Sequence, residues 1–124
     1  MTRVKNITAS DAFAMTKKGA IFVDVREKGE IERKAFDVPD IMVVPLSRFE
    51  SGFGEIPKNR RVIVVCRSGN RSATAAAMLM NWGYRNVANL QHGIIGWERE
   101  GLAIKSKPKK SIFARLAAMF GKRG

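Results

Sequence analysis

The stretch Arg61-Val62-Ile63-Val64-Val65-Cys66-Arg67-Ser68-Gly69-Asn70-Arg71-Ser72-Ala73-Thr74-Ala75-Ala76-Ala77 decides the fold. Its four consecutive β-branched residues, 62–65, are typical of a strand that is buried on both faces. The alanine-rich run that follows predicts a helix from about Ser72 to Trp82. The only cysteine of the chain therefore lies at the end of a buried strand, in a short polar loop that leads into a helix.

This loop is suited to holding an anion. The first N–H groups of a helix have no partner within it, and together with the helix dipole they attract negative charge. Gly69 permits backbone angles that turn successive N–H groups inward. A cysteine at such a site is stabilised as the thiolate, which is its nucleophilic form. The alternative is a cysteine that only packs in the core, but the polar residues after Cys66 favour the reactive interpretation.

Residues Cys66 to Ser72 resemble the active-site loop of the rhodanese-type sulfurtransferases. The resemblance covers about residues 5–104 and includes Asp24-Val25-Arg26-Glu27, Val44-Pro45-Leu46-Ser47, Gly83-Tyr84 through Val87, and Leu90-Gln91-His92-Gly93-Ile94 through Trp97. It implies that Cys66 is catalytic and that the loop binds substrate through Arg67, Ser68, Gly69, Asn70, Arg71 and Ser72. Residues 34–40 depart from the glycine-histidine-isoleucine-proline-like stretch that is usual in the family, and this leaves any selectivity built from that loop open.

The rest of the sequence predicts helices and strands in alternation. Thr8 and Asp11 indicate the start of a helix over about Ala9–Lys17. The other predicted elements are a strand over 20–25, a helical turn over 30–32, a strand over 41–44, a short helix over 48–51 capped by Ser47 and Glu50, a strand over 86–90 and a helix over 94–100. We therefore expect the α/β fold that the resemblance also implies, a three-layer sandwich with a mostly parallel central sheet and helices on both faces.

Asp24 lies at the end of the first predicted strand and would be costly to bury alone. We expect it to accept hydrogen bonds from loop amides or to pair with an arginine. Arg26 is likewise expected to form a structural ion pair and not to act as a catalyst, because ion-pair networks are the commoner use of such residues. Met78, Leu79, Trp82 and Trp97 are expected in the core or in helix packing.

The positive charge is concentrated at the C-terminus. Residues 105–124 contribute +7 of the formal charge of +12, and residues 1–104 contribute +5. We expect a rhodanese-like domain over 1–104, followed over 105–124 by a basic linker and a short amphipathic helix. That helix either docks on the domain, lies on a membrane surface or binds a partner protein. No nucleic-acid partner is expected, because the tail offers little aromatic or motif support.

Cysteine and histidine usage limits the other classes of site. A single cysteine leaves no internal disulfide, and the N-terminus has no apolar run after its charges, so we expect a cytoplasmic protein. One cysteine and one histidine do not make a metal site, and we expect no metal and no cofactor.

The resemblance implies sulfur transfer through a persulfide on Cys66. Cys66 attacks the outer sulfur of an anionic donor, thiosulfate or a persulfide, and cyanide, a thiol or an acceptor protein then takes the sulfur. The loop amides surround the transferring sulfur, Arg67 faces the incoming anion and Arg71 holds the loop. Ser68 and Asn70 add side-chain hydrogen bonds. His92 stands where the family usually has a small residue, so an acid or base role for it is not inherited.

Two alternatives stay open. The chain could be a sulfur carrier that holds a persulfide for one protein partner, since the same loop would serve both. It could also be a cysteine-dependent phosphatase or arsenate reductase, because related phosphatases share the fold. Their loop has five residues between cysteine and arginine, whereas four residues separate Cys66 from Arg71. The shorter loop suits one sulfur atom better than a tetrahedral phosphoryl group.

Overall fold

The computed structural model describes residues 3–106. Within this range the strands are β1 (Lys5–Ile7), β2 (Ile21–Asp24), β3 (Lys34–Phe36), β4 (Ile41–Val43), β5 (Val62–Val65), β6 (Val87–Leu90) and β7 (Ile104–Ser106). The α-helices of the same range are α1 (Ala9–Thr16), α2 (Lys28–Arg33), α3 (Phe49–Gly52), α4 (Asn70–Asn81) and α5 (Gly93–Arg99), with 3₁₀ turns over Leu46–Arg48 and Phe53–Glu55. None of the described helices is long and apolar enough to cross a membrane.

The central sheet has the strand order β1-β6-β5-β2-β4, and each neighbouring pair is parallel. Strand β5 is the middle strand, and each of its four residues is fully buried. Val62 and Val64 contribute to the core cluster that includes α3 and α4, whereas Ile63 and Val65 contribute to the cluster that includes α1 and α5. Helices thus cover both faces of a parallel sheet, and the predicted three-layer α/β architecture is confirmed.

A second, two-stranded sheet was not predicted. Strands β3 and β7 pair antiparallel, with Lys34 opposite Ser106 and Phe36 opposite Ile104. Phe36 packs edge-on against Phe22 at 5.4 Å and Trp97 at 5.6 Å between ring centroids, which anchors this small sheet to the core. The small sheet includes residues 105 and 106, which we had placed at the start of the basic linker. The short amphipathic helix predicted within 105–124 lies outside the described residues.

Local signals at helix ends predicted some boundaries and failed at one. Thr8 Oγ1 accepts from Asp11 N at 3.0 Å, so the predicted cap of α1 is confirmed. The capping box of Ser47 and Glu50 is wrong, because the Ser47 hydroxyl instead donates to the Glu27 carboxylate at 3.0 Å. Helix α3 consequently begins at Phe49, after a 3₁₀ turn. The Glu27 carboxylate, at the N-cap of α2, therefore binds the serine hydroxyl that was expected to cap this helix.

Candidate active site

Cys66 follows strand β5 directly and lies at the carboxyl end of the sheet, where parallel α/β folds place their sites. The residue is only 1% exposed. Its Sγ accepts hydrogen bonds from Gly69 N at 3.1 Å, Ser72 N at 3.4 Å and Ser72 Oγ at 3.2 Å. The loop therefore turns three donors inward on one sulfur atom.

Helix α4 begins two residues earlier than the sequence indicated, because Gly69 is its N-cap in a left-handed conformation with φ of 103°. A Cβ atom on Gly69 would lie 3.1 Å from His92 N. This close approach, together with the positive φ, explains why a glycine occupies the position. The early start also places the N–H of Ser72 within the first turn of α4, where it has no partner within the helix and is available to Cys66.

The turn between β6 and α5 holds the other side of the loop. Ile94 N donates to the carbonyl oxygen of Cys66 at 2.9 Å, and Ile95 N donates to that of Arg67 at 3.2 Å. A Cβ atom on Gly93 would lie 2.4 Å from both of these oxygens, a distance that cannot be tolerated without movement. The loop backbone is therefore bonded to the N-terminus of α5 and fixed against it.

The surroundings of Cys66 favour its thiolate. Burial raises the pKa of the thiol, but hydrogen bonds from the Ser72 hydroxyl and from the N–H groups of Ser72, Gly69 and Ser68 lower it by more, so that the pKa lies below its ordinary value. Each donor stabilises the charged sulfur and does little for the neutral one. The loop therefore prepares a nucleophile at the end of β5.

Asn89 is a site residue that the sequence analysis did not find. It lies on β6, is buried, and its Oδ1 accepts from the Ser72 hydroxyl at 2.5 Å. Its Nδ2 donates to Gly69 O at 3.1 Å and to Asn6 Oδ1 at 2.9 Å. The available signal was an asparagine inside an otherwise apolar strand, because such a buried amide must find partners.

Arg71 binds a carboxylate of the protein. Its Nη1 and Nη2 each lie 2.7 Å from a carboxylate oxygen of Glu30 on α2. The hydrogen bond from Arg71 is the main reason why the pKa of Glu30 falls from 4.5 to about 2. The predicted holding of the loop by Arg71 thus takes the form of an ion pair to α2, and Glu30 is a second residue that sequence reasoning missed.

The other predicted loop residues differ in their exposure to solvent. Arg67, Ser68 and Asn70 face solvent, whereas Gly69 and Ser72 are buried beside the sulfur. Within residues 3–106, Arg67 forms no ion pair, so its guanidinium is available to an anion. It lines a cleft of about 350 Å³ whose other lining residues are Arg26, Glu30, Arg33, Lys34, Ile94, Ile95 and Glu98. The structure thus separates five of the six predicted binding residues into an inner and an outer group, and Arg71 lies between them in its ion pair with Glu30.

Asp24 and Arg26 pair with each other, which confirms the expected arginine partner of Asp24 and the expected ion pair of Arg26. Both side chains are buried, and Arg26 Nη2 lies 2.7 Å from Asp24 Oδ2. Arg26 Nη1 also donates to Lys34 O at 2.9 Å, which joins the end of β2 to β3. These contacts engage the Arg26 guanidinium and are consistent with a structural role.

His92 has an unusual backbone and an exposed side chain. It is the N-cap of α5 and has φ of 67°, a left-handed conformation in which glycine is favoured. Its amide lies beside Gly69, so the residue adjoins the loop.

Comparisons with known proteins agree with this architecture. A sequence model of the rhodanese-like domain matches residues 8–100. A sulfurtransferase of Allochromatium vinosum is 44% identical over 84 residues, which cover 68% of this chain and 77% of that protein. The thiosulfate sulfurtransferase GlpE of Pseudomonas syringae pv. syringae is 31% identical over 97 residues, 78% of this chain and 90% of the relative. The solved structure of a rhodanese-related protein from Thermoplasma volcanium has a TM-score of 0.73 at 26% identity and covers 83% of this chain and 99% of that one.

Proposed function

This chain belongs to the rhodanese-like domain family, and on that premise we propose that it transfers sulfane sulfur from thiosulfate or a persulfide, through a persulfide on Cys66, to a thiol or cyanide. The observation that carries the proposal is the set of three donors on Cys66 Sγ, from Gly69 N and from the N–H and hydroxyl of Ser72. They stabilise the thiolate that must attack. Relatives named as sulfurtransferases support the reaction class.

The first step forms a bond between Cys66 Sγ and the outer sulfur of the donor. With thiosulfate, the bond between the two donor sulfurs breaks and sulfite leaves with the electron pair. With a persulfide, the leaving group is the organic thiolate. In the second step an acceptor thiolate or cyanide attacks the outer sulfur, and the Cys66 thiolate is restored.

Burial of Cys66 favours an attack on a terminal atom. Since the residue is only 1% exposed, a substrate reaches its sulfur best through a small end group. The sulfane sulfur is terminal in both thiosulfate and a persulfide. A phosphoryl group would instead bring three oxygens into a loop whose inward donors already converge on Cys66. The geometry therefore supports sulfur transfer over phosphoryl transfer.

The outer side of the loop suits an anionic donor and a larger acceptor. Arg67 is exposed and adjoins the cleft of about 350 Å³. We propose that its guanidinium attracts the donor anion and that the cleft receives the organic part of a thiol acceptor or a loop of an acceptor protein. The basic segment after residue 106 would then provide a further contact with a membrane surface or a protein partner.

The test is an intact-mass measurement of the full chain after incubation with thiosulfate, followed by cyanide and detection of thiocyanate. We expect a gain of one sulfur atom that cyanide removes, and no gain in Cys66→Ala. Ser10→Ala is the matched control, because it removes an exposed hydroxyl that lies outside the Cys66 loop. No sulfur gain from thiosulfate or from any low-molecular-weight persulfide would contradict the proposal and direct the next assay to phosphate esters.

Turnover separates an enzyme from a carrier. An enzyme discharges repeatedly to cyanide or a small thiol at a rate that accounts for its steady-state activity. A carrier loads once, turns over slowly with small molecules and discharges fast to its protein partner. Removal of residues 107–124 should spare the small-molecule reaction in either case, and a loss of partner transfer alone would assign the tail to delivery.

A further inference from the structure

The hydroxyl of Ser72 lies between two acceptors. Its Oγ is 3.2 Å from Cys66 Sγ and 2.5 Å from Asn89 Oδ1. A serine hydroxyl carries one proton and can donate it to only one of them at a time. The hydroxyl therefore cannot donate to Cys66 Sγ and to Asn89 Oδ1 at the same time.

The orientation of the Asn89 amide is fixed by its other partners. The atom that faces Gly69 O must be the nitrogen, because a backbone carbonyl can only accept. The same nitrogen donates to Asn6 Oδ1 on β1. The amide oxygen consequently points at Ser72 and cannot be exchanged for a donor by a flip of the side chain.

We propose that Asn89 is a positioning residue that competes with Cys66 for the single proton of the Ser72 hydroxyl. When Cys66 is a neutral thiol, its S–H donates to Ser72 Oγ and the hydroxyl donates to Asn89. When Cys66 loses its proton to solvent, the hydroxyl turns to the anionic sulfur, which is the stronger acceptor. Asn89 Oδ1 then loses its donor in a buried place, and this loss opposes ionisation.

The inference rests on the proposed function for its consequence in the reaction. A Cys66 sulfur that has bonded the sulfane sulfur carries no charge of its own, because the charge moves to the outer atom. The Ser72 hydroxyl is then released to Asn89. Competition from Asn89 thus disfavours the free thiolate relative to the sulfur-loaded state, and it keeps the thiolate basic enough to be a strong nucleophile, since nucleophilicity falls as the thiol pKa falls.

Other groups near Cys66 do not account for the same effect. The charged and titratable side chains around the loop belong to Asp24, Arg26, Glu30, Arg67, Arg71 and His92. Among the described residues, the side-chain hydrogen bonds of Ser72 and Asn89 involve none of these six. Substitution of Asn89 therefore changes which atom accepts the hydrogen bond of the Ser72 hydroxyl, and it leaves the charged side chains of the site unchanged.

The test is a two-by-two comparison of Asn89→Leu and Ser72→Ala, read as the pH dependence of Cys66 alkylation by iodoacetamide. Asn89→Leu removes the competing acceptor of the Ser72 hydroxyl. We therefore expect the midpoint of the alkylation rate against pH to move to lower pH, and the alkylation rate below the wild-type midpoint to rise about threefold. In the Ser72→Ala background the same substitution should leave the midpoint unchanged, because no proton remains to be shared. A merely structural Asn89 would raise the midpoint in both backgrounds through the lost bond to Gly69 O, and that result would overturn the proposal.

A measurement on the unaltered chain avoids any effect on folding. The carbon-13 shift of the Asn89 side-chain carbonyl should follow the titration of Cys66, and this response should be lost in Ser72→Ala. If the Asn89 carbonyl does not respond to Cys66 in the unaltered protein, the competition does not exist. Neither experiment requires sulfur transfer, so failure of the proposed function would appear separately, as an absence of sulfur gain on a cysteine that still titrates.

Discussion

The inner and outer sides of the Cys66 loop differ in their burial and in the partners of their polar groups. On the inner side, Gly69, Ser72 and Asn89 are buried and their polar groups bond to one another or to the sulfur. On the outer side, Arg67 and Ser68 are exposed, and within residues 3–106 Arg67 has no ion-pair partner. The inner side can thus fix the charge state of Cys66, whereas the outer side is open to solvent and to an incoming anion.

This difference indicates which substitutions should affect the reactivity of Cys66 and which should affect the attraction of an anionic substrate. Buried hydrogen bonds are not screened by water, so a change on the inner side alters both the fold and the thiolate. An exposed arginine interacts with an anion through solvent and salt, and its effect is smaller. Substitution within the Glu30–Arg71 ion pair should have an intermediate effect, since the pair is partly exposed and joins the loop to α2.

The largest effect is expected from Gly93→Ala. The added Cβ would lie 2.4 Å from the carbonyl oxygens of Cys66 and Arg67, so the loop must move. We expect a loss of about 3 kcal/mol in the free energy of unfolding and a fall of about 100-fold in the rate of sulfur loading, because overpacking and misplacement of a reacting atom act together. Urea unfolding and a rapid-quench loading assay would measure these changes.

Gly101→Ala is the matched control for this substitution. Gly101 also has a positive φ, of 76°, but a Cβ atom there would meet nothing within 4 Å. It should therefore lose only the conformational advantage of glycine, about 1 kcal/mol, and keep its loading rate. Equal losses in the two variants would mean that backbone strain, and not contact with the loop, explains Gly93.

Sequence reasoning identified the loop but not everything that holds it. Strand β5 was predicted to its last residue, since four β-branched residues and a following polar run are local signals. An arginine partner for Asp24 and an ion pair for Arg26 were likewise expected, because both are charged residues at the end of a buried strand, and the two residues pair with each other. The contacts of Arg71 with Glu30 and of Ser72 with Asn89 span 41 and 17 residues, and they depend on which elements the sheet brings together. No local pattern encodes those distances.

The prediction of short strands failed for a related reason. Strands β1, β3 and β7 have three residues each and contain lysine, so neither alternation nor burial marks them in the sequence. Their pairing is decided by partners elsewhere in the chain. The same dependence on partners explains why Ser47 caps no helix, since Glu27 was close enough in space to bind its hydroxyl.

The next largest effect is expected from Glu30→Gln, which breaks the link between the loop and α2. The pKa of Glu30 is about 2 in the folded protein against 4.5 ordinarily, so its ionised form stabilises the fold. The full contribution is present above pH 4.5 and is lost as the pH falls through about 2. At pH 7 we expect the variant to lose about 1 kcal/mol, a value reduced for the partial exposure of the pair.

Unfolding in urea at several pH values would measure this loss. The difference between the original chain and Glu30→Gln should be constant from pH 7 down to about 5 and should close as the pH approaches 2. Glu32→Gln is the control, because this glutamate lies on the same helix, is exposed and has no ion-pair partner within residues 3–106. If both variants have equal stability at pH 7, the ion pair contributes nothing to holding the loop.

A smaller effect, confined to the outer side, is expected from Arg67→Gln. Loss of this exposed charge should lower kcat/KM for thiosulfate about threefold at low salt, and the difference should narrow at 0.5 M salt because exposed charges are screened. The pH dependence of Cys66 alkylation should change little. Arg61→Gln removes one charge at the opposite end of β5, and an equal effect there would show that only the net charge of the protein matters.

The smallest effect is expected from His92→Gly, and it tests whether the turn beside the loop belongs to the inner or the outer side. His92 holds a φ of 67° that glycine adopts freely, so the substitution should raise the free energy of unfolding by about 0.5 kcal/mol. Its side chain is exposed and, within residues 3–106, donates to no group of the loop. We therefore expect sulfur loading and discharge to keep their rates between pH 6 and 8. A loss of rate in this pH range would instead place His92 in proton transfer during discharge, and the strained backbone would then be the cost of presenting that side chain beside the Cys66 loop.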